Sequence, residues 1–363
     1  MQKARNGRYA RIYDVARTAH LERLKSMTRG DFIYRKSSYD FDTELAREMN
    51  ARQSSRWRTI IYLVRHRPEI VELNEPAYIA AWPSVFLYMG AVHILNTFST
   101  KKMRVVAYAI ENANIVDALQ AKFRSRAVSE LTARLAIRIL SFSFSKVAFG
   151  SDGAREAYVS IFPKIESSTT AKLFDALPAA RAGLNPVRNA VVLFVGSYEA
   201  RKGILELLAA WDVLRNRRRD VELRLLGKGP LDRLVRKWSE GKAEVQFVVD
   251  PPRSSILTEY ESARTVVLLS QPTRTWREQV GLPIVEGLSY GCEIVATTET
   301  GLAPWLQLAQ HRLVSPDASA AVVADALAAS VDRAMGPAAR IAQLPAIDGR
   351  VAADEWLFST EME

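Results

Sequence analysis

Cysteine is almost absent: Cys292 is the only one in 363 residues. One thiol closes no internal disulfide and builds no thiolate metal cluster from this chain alone, which fits a reducing compartment. It follows a glycine ahead of an apolar run and reads as a small core residue. Histidine is scarce as well. His20, His66, His93 and His311 show no metal-site spacing, so each reads as a surface or packed side chain. No strand is followed by Gly-x-Gly-x-x-Gly with an acidic residue about twenty positions on, which argues against a dehydrogenase. Behind the arginine-rich stretch Met1 to Arg11 no apolar segment follows, so no secretory signal is visible and a cytoplasmic protein is expected. Charge is missing from Pro76 to Thr100, a length that raises the question of a membrane span. Pro83, Gly90 and His93 interrupt it and strand-like segments flank it. The better reading is a crossover helix packed on a sheet, with a shallow membrane contact as the alternative. Short repeats and low-complexity tracts are also lacking.

What is present is ordinary globular material, 48% hydrophobic and 25% charged, and enough of it for two domains. The net charge of +10 is lopsided. Met1 to Arg67 holds 16 Lys or Arg against 7 Asp or Glu, or 16 − 7 = +9, leaving 10 − 9 = +1 for the rest. Such a region suits an anionic membrane surface, an anionic acceptor or nucleic acid phosphates, or else is a set of solvated helix faces. A peripheral position on the inner membrane face is therefore an expectation beside the cytoplasmic one.

Short apolar runs alternate with helical stretches, the pattern of parallel strands joined by crossover helices. In the first half the strands are expected at Asp31–Lys36, Glu69–Asn74, Arg104–Ile110, Lys146–Gly150 and, more weakly, Thr169–Phe174. Pro178, Gly183, Asn185 and Pro186 then cluster in a break. Strands resume at Ala190–Gly196, Val221–Gly227, Val245–Val249, Thr265–Ser270 and Glu293–Thr297. The reading is α/β with two doubly wound parallel sheets: residues 1–183, residues 184–345, and a tail, 346–363, expected to pack back on the first domain.

Two constellations in the second half carry chemistry. An apolar strand runs into Gly196-Ser197 and then Arg201-Lys202-Gly203 before a helix, so backbone N–H groups at a helix start lie beside two cations, the ingredients of a diphosphate site. Strand, glycine, basic residue and helix also recur for packing reasons alone. Further on, Glu278-Gln279-Val280-Gly281-Leu282-Pro283 leads to Glu286. Pro283 suits a first helical turn, which puts Gly281 and Leu282 at the N-terminus with free N–H groups, Glu278 on the loop before and Glu286 about one turn inside. The bland reading is a glutamate that complements the helix dipole.

Taken with Gly227-Lys228-Gly229-Pro230 between them, these segments resemble the retaining glycosyltransferases of family 4, which have the GT-B fold, two Rossmann-like domains facing a cleft. The resemblance covers Ala190 to about Leu306 and the first half only in outline. It implies that Lys202 neutralises the donor diphosphate, that Glu286 holds the ribose, and that Glu278 contacts or orients the transferred sugar. The Gly281 and Leu282 amides, with Val280, would meet phosphate or sugar oxygens. Gly196, Ser197, Arg201, Gly227 and Gly229 would complete the donor site, and Val249 and Asp250 would reach the nucleobase. The implied reaction is metal-independent transfer of a hexosyl group, with retention, from a nucleoside-diphosphate sugar, UDP- or GDP-linked first, and no other cofactor. The acceptor would be a hydroxyl of a glycan, a lipid-linked saccharide or a small molecule, with modified nucleic acid as a lesser candidate.

Some positions depart from the pattern. Ser197 stands where the family commonly has arginine, with Arg201 as a substitute, and Glu111-Asn112 stands where relatives present a histidine to the sugar. The family's first strand and glycine-rich loop are not recognisable, because residues 9–25 read as a polar helix. These departures support a rival, a non-catalytic subunit that binds a nucleotide or a partner. Asp40-Phe41-Asp42 spells the Asp-x-Asp of metal-dependent transferases. It follows no buried strand and precedes a helix capped by Asp42 or Thr43, so it is set aside.

Overall fold

The computed structural model describes residues 8–38, 41–161, 163–165, 171–181, 188–333 and 335–359. The chain divides into two compact units, Met1–Asp175 with Arg350–Glu363, and Ala176–Gly349. The expected boundary at 183/184 is corrected to 175/176, and the return to the first unit starts at residue 350 rather than 346. Leu177 explains the first shift, since it is buried in the second unit's core, and its carbonyl accepts from the Gly349 N–H at 2.9 Å. The Ala180 N–H likewise donates to Pro345 O at 2.9 Å. Of the residues expected to form the break, Gly183, Asn185 and Pro186 lie outside the described residues, as does Asp40 of the Asp-x-Asp. Asp42 caps a helix, accepting from the Glu44 and Leu45 N–H groups.

In the first unit the order is β1 (Tyr9–Ala16), α1 (Thr18–Arg23), β2 (Asp31–Ser37), α2 (Thr43–Glu48), β3 (Arg52–Gln53), α3 (Arg56–His66) and β4 (Ile70–Asn74). There follow α4 (Trp82–Thr97), β5 (Arg104–Ala109), α5 (Ile115–Phe123), α6 (Arg126–Ser143), β6 (Lys146–Phe149), α7 (Asp152–Val159) and β7 (Ala171–Leu173). The seven strands are parallel, in the order β3-β2-β1-β4-β5-β6-β7. Alternate residues face two cores: Val71, Val105 and Ala107 pack under α3 to α7, whereas Ile70, Val106 and Tyr108 face the other side. The uncharged stretch does form a crossover helix. Ile79–Thr97 is long and apolar enough to cross a membrane, but the strands it joins pair side by side, and Val85, Tyr88, Met89 and Val92 are packed into the core.

Residues 9–16 are a central strand and not a helix. Their polar look came from Arg11 and Asp14, and the structure gives both charges partners. Arg11 is fully buried, and its Nε donates to Asp354 at 2.9 Å and stands 3.5 Å from Glu72. Asp354 lies on the C-terminal helix, Gly349–Phe358, which packs Ala353, Leu357 and Phe358 against the first unit's sheet. Arg350 of that helix pairs with Glu72 and donates to the Tyr13 hydroxyl at 3.0 Å. Buried charges balanced in this way are tolerated, and each depends on the others.

The second unit runs β8 (Asn189–Val195), α8 (Ile204–Leu214), β9 (Glu222–Gly227), α9 (Asp232–Ser239), β10 (Val245–Val249), α10 (Arg253–Ser262) and β11 (Ala263–Leu268). It continues with α11 (Leu282–Ser289), β12 (Glu293–Thr297), α12 (Ala303–Leu308), β13 (Arg312–Val314), α13 (Ala320–Val331) and α14 (Pro337–Ile341), so that the C-terminal helix is α15. The six strands are parallel in the order β10-β9-β8-β11-β12-β13, and strand order reverses between β8 and β11. Val191 to Phe194 are wholly buried, as befits a strand with helices on both faces. Cys292 is buried too, and burial pushes its thiol up to about 12, so it is a core residue. His311 is packed in the same core, its imidazole pushed below its ordinary value by burial, and its Nδ1 accepts from the Ile294 N–H at 3.2 Å.

Candidate functional site

In an open parallel sheet, ligands settle outside the carboxyl ends of the strands where the order reverses. In the second unit that place is bounded by the turn after β8 and the loop after β11. The turn is a single 3-10 segment, Ala200–Lys202, closed by Gly203 at φ 72°. A Cβ there would stand 1.9 Å from Leu269 O, so both the left-handed backbone and the close approach require glycine. Gln271 N–H donates to Arg201 O at 2.9 Å and ties the turn to the β11 loop.

This approach brings Lys202 and Glu278 together. Lys202 Nζ stands 2.5 Å from Glu278 Oε2, which also accepts from the Ser270 hydroxyl at 2.8 Å. Both carboxylate and ammonium are mostly shielded from water, and Glu278 is held from behind, since Gly301 N–H donates to its carbonyl at 3.2 Å. Ser270 was expected only as a strand end. Its neighbour Thr297, at the end of β12, donates to Ser270 O at 2.6 Å.

Arg201 is beside this pair but differently engaged. Its Nε stands 2.6 Å from Glu199 Oε2, while Ser197 Oγ donates to Glu199 Oε1 at 2.6 Å. The Ser197 hydroxyl first, then Arg201, hold the Glu199 carboxyl below its ordinary value. The Arg201 guanidinium lies 4.6 Å from the Trp276 ring centre and Lys202 Nζ 5.0 Å from it, so one indole roofs both cations. Glu199 and Trp276 are participants that sequence reasoning missed; an aromatic residue two positions before Glu278 was their only signal.

The glycines of the two turns have different jobs. At Gly227 a Cβ would stand 1.8 Å from Gly196 O, and at Gly229 it would stand 2.7 Å from the Tyr198 backbone, so packing alone requires both. At Gly196 it would meet nothing nearer than the Phe194 ring at 3.5 Å. Packing therefore leaves Gly196 unexplained.

At the other end of the β11 loop, Gly281, at φ 74°, precedes α11, and Pro283 lies in its first turn. Val280 O accepts from the Thr300 hydroxyl at 3.1 Å. The N–H groups of Gly281 and Leu282 meet no acceptor among the described residues. Glu286, one turn in, has Oε1 2.5 Å from Arg253 Nη1 at the start of α10. Arg253 is a further residue that the sequence did not single out; it follows Asp250-Pro251-Pro252 after the edge strand β10. Val249 ends β10 half exposed, and Asp250, at φ 51°, pairs with Lys228 at 2.9 Å, both side chains in solvent. Among the described residues no group of three or more His, Cys, Asp or Glu stands together as a metal site.

The first unit places Glu111 and Asn112 at the carboxyl end of β5, together with a residue not foreseen, Glu75. The Glu75 carboxylate accepts from the Ile110 and Glu111 N–H groups, each at 3.0 Å, and its own backbone is left-handed at φ 52°. Burial first, and then the charge of Glu111, push its carboxyl up to about 8 despite those two donors. Part of the basic N-terminal region forms a depression of about 620 Å³ whose lining includes Arg35, Lys36, Arg56, Trp57 and Arg58. Arg35 is paired with Asp14 at 2.6 Å, so the field there is weaker than the count of cations suggests.

Residues 189–333 match the family described as glycosyl transferases group 1, and over that stretch the expected resemblance stands. No curated protein matches the chain by sequence. Among solved structures, HepE of Anabaena, in complex with UDP-glucose, superposes with a TM-score of 0.63 at 13% identity, covering 97% of this chain and 95% of that one. The trehalose-phosphate synthase (UDP-forming) of Burkholderia xenovorans, in complex with glucose-6-phosphate, gives 0.59 at 13%, covering 96% of each chain. The sucrose-phosphate synthase of Thermosynechococcus elongatus gives 0.57 at 17%, covering 97% and 95%. At such identities these likenesses speak for the fold, and the two doubly wound sheets are the GT-B architecture.

Proposed function

We propose that the protein is a glycosyltransferase that moves a hexosyl group from a nucleoside-diphosphate sugar to a hydroxyl, with retention and without a metal ion. The observation that carries this reading is the Lys202–Glu278–Ser270 cluster at the reversal of strand order, inside the stretch that matches group 1 glycosyltransferases. A diphosphate placed over the turn after β8 would draw on the Lys202 ammonium and on the open N–H groups at the start of α11, donors already fixed before the leaving group gains charge. Glu278 would then be released toward the sugar, and Glu286, steadied by Arg253, toward the ribose hydroxyls. Retention follows if the departing phosphate remains on the face that the acceptor attacks.

The donor's nucleotide is UDP or GDP in this proposal. The acceptor is a glycan or lipid-linked saccharide, and the Arg35–Arg58 depression favours an anionic one. A second reading, a nucleotide-binding subunit without transfer, draws on Ser197 and Arg201, which are both turned to Glu199 rather than left for phosphate.

Thermal shift with UDP, GDP, ADP and TDP tests the site. A diphosphate at about a hundred times its dissociation constant adds roughly 2.7 kcal/mol of stability. The wild type should respond to one of them and Lys202→Ala to none. Anomeric analysis of the transfer product, run with and without chelator, then tests retention and metal independence. Stabilisation by a diphosphate with no transfer to any acceptor favours the second reading, and an unchanged response in Lys202→Ala refutes the site.

A further inference from the structure

α6 is apolar on two sides. Ala133, Ile137 and Leu140 are buried in the first unit's core. On the opposite side Val128, Leu131, Leu135, Ile139 and Phe142 succeed one another at spacings of three and four, and all stand in solvent, Leu131 at 70% and Phe142 at 72% exposure. A contiguous row of exposed apolar side chains of this kind marks an interaction surface.

Two more exposed apolar rows occur on the same face of the sheet. α3, α4 and α6 share one core through Leu63, Val85 and Ile137, so they form a single layer. α3 exposes Trp57, Ile61 and Val64, and α4 exposes Ile94 and ends on Phe98, 83% exposed. The charges among these rows are predominantly positive. Residues 56–67 contain four arginines and no acid, Lys101 and Lys102 follow α4, and residues 122–143 contain five cations and one acid, Glu130. Glu130 is paired with Arg126 at 3.0 Å, and Arg134 and Arg138 remain exposed beside Leu131, Leu135 and Phe142.

We propose that this layer docks on an anionic lipid bilayer, its apolar rows entering the headgroup–acyl boundary and its arginines meeting lipid phosphates. Exposed apolar side chains interleaved with cations are the composition of surfaces that lie in that boundary, and each cation near an anionic leaflet adds to the attraction. Charge selects this occupant over a second copy of the chain, because self-association would set arginines against arginines. A bilayer also needs no groove to receive it, and the rows lie on three separate convex helices. The inference stands apart from the proposed donor site, which lies in the other unit, and shares with the proposed acceptor region only the start of α3.

Co-sedimentation with phosphatidylcholine vesicles, with and without phosphatidylglycerol, tests it on the full chain. Wild type should pellet with the anionic vesicles and be released by high salt. The triple variant Leu131→Ser, Leu135→Ser, Phe142→Ser alters exposed positions only, and should lower partitioning by roughly tenfold or more while leaving the thermal transitions in place. Arg134→Gln with Arg138→Gln should weaken binding by about fivefold each, roughly 25-fold together, toward anionic vesicles alone. Equal pelleting of wild type and the triple variant overturns the assignment. So does an oligomer in analytical ultracentrifugation that the triple variant dissolves while wild type ignores vesicles, which would make the face a protein interface.

Discussion

Asp354→Asn keeps the size of a buried side chain and removes its charge. Asp354 accepts from Arg11 Nε at 2.9 Å and from the Thr28 N–H at 2.8 Å, and Arg350 Nη1 stands 3.8 Å away. The cluster sets two guanidiniums, Arg11 and Arg350, against two carboxylates, Glu72 and Asp354, all shielded from water. In the variant one positive charge is left without a counterpart, and losing one partner of a buried pair costs about 3–5 kcal/mol. The first unit comprises 175 + 14 = 189 residues, a size at which each kcal/mol moves the melting temperature by about 2–4 °C, so its transition should fall by roughly 6–20 °C. Two units need not unfold together, and hydrogen–deuterium exchange read peptide by peptide is the better assay. Exchange should quicken in β1, β4 and α15 and stay unchanged in β8 and β11. Arg11→Met combined with Asp354→Leu removes one charge of each sign and should recover much of the loss, since apolar replacement of a buried pair is often neutral. A loss below about 1 kcal/mol in Asp354→Asn, or quickened exchange spread evenly over both units, would refute the reasoning.

Gly227→Ala should destabilise the second unit by about 3 kcal/mol or more in urea unfolding, because the new Cβ meets a backbone carbonyl 1.8 Å away and neither turn can retreat. Gly196→Ala meets only a ring edge at 3.5 Å and should leave stability within about 0.5 kcal/mol while weakening diphosphate binding. Glu75 gives a pH signature: the folded chain keeps a proton on this carboxyl up to about pH 8 that the unfolded chain sheds in the ordinary carboxylate range. Its contribution is therefore fully present in acid and is lost as pH climbs through about 8. Melting temperatures across that window should decline less in Glu75→Gln than in wild type, and parallel curves would count against the burial of Glu75. Glu111→Gln, by removing the second cause of the shift, should move the wild-type decline to lower pH.

Most of the fold was readable because parallel strands covered on both faces are written as apolar runs. Val191 to Phe194 and Ile294 to Ala296 are of that kind. β1 was not readable for the converse reason. Its centre carries an arginine whose partners lie about sixty and more than three hundred residues away, on β4 and α15, and no local pattern reports a buried ion pair that closes over such a distance. β3 and β13, of two and three residues, are too short to show any period.

The site was legible where motif and geometry coincide, in Lys202 and Glu278, and less so in the residues that tune them. Three cations at the carboxyl edge of the second sheet are matched with carboxylates: Lys202 with Glu278, Arg201 with Glu199, Arg253 with Glu286. Two of these pairings do not follow from spacing, since Lys202 and Glu278 lie on loops after different strands and Arg253 and Glu286 on different helices. Their consequence is energetic. A diphosphate at this edge would exchange one anion for another, so its net attraction is the difference between two ion pairs and not the whole of one. Glu278→Gln should accordingly tighten diphosphate binding by freeing Lys202 while abolishing sugar transfer. Calorimetric titration of that variant with UDP or GDP, beside a transfer assay, separates the two roles, and weaker binding together with undiminished transfer would show that Glu278 does neither.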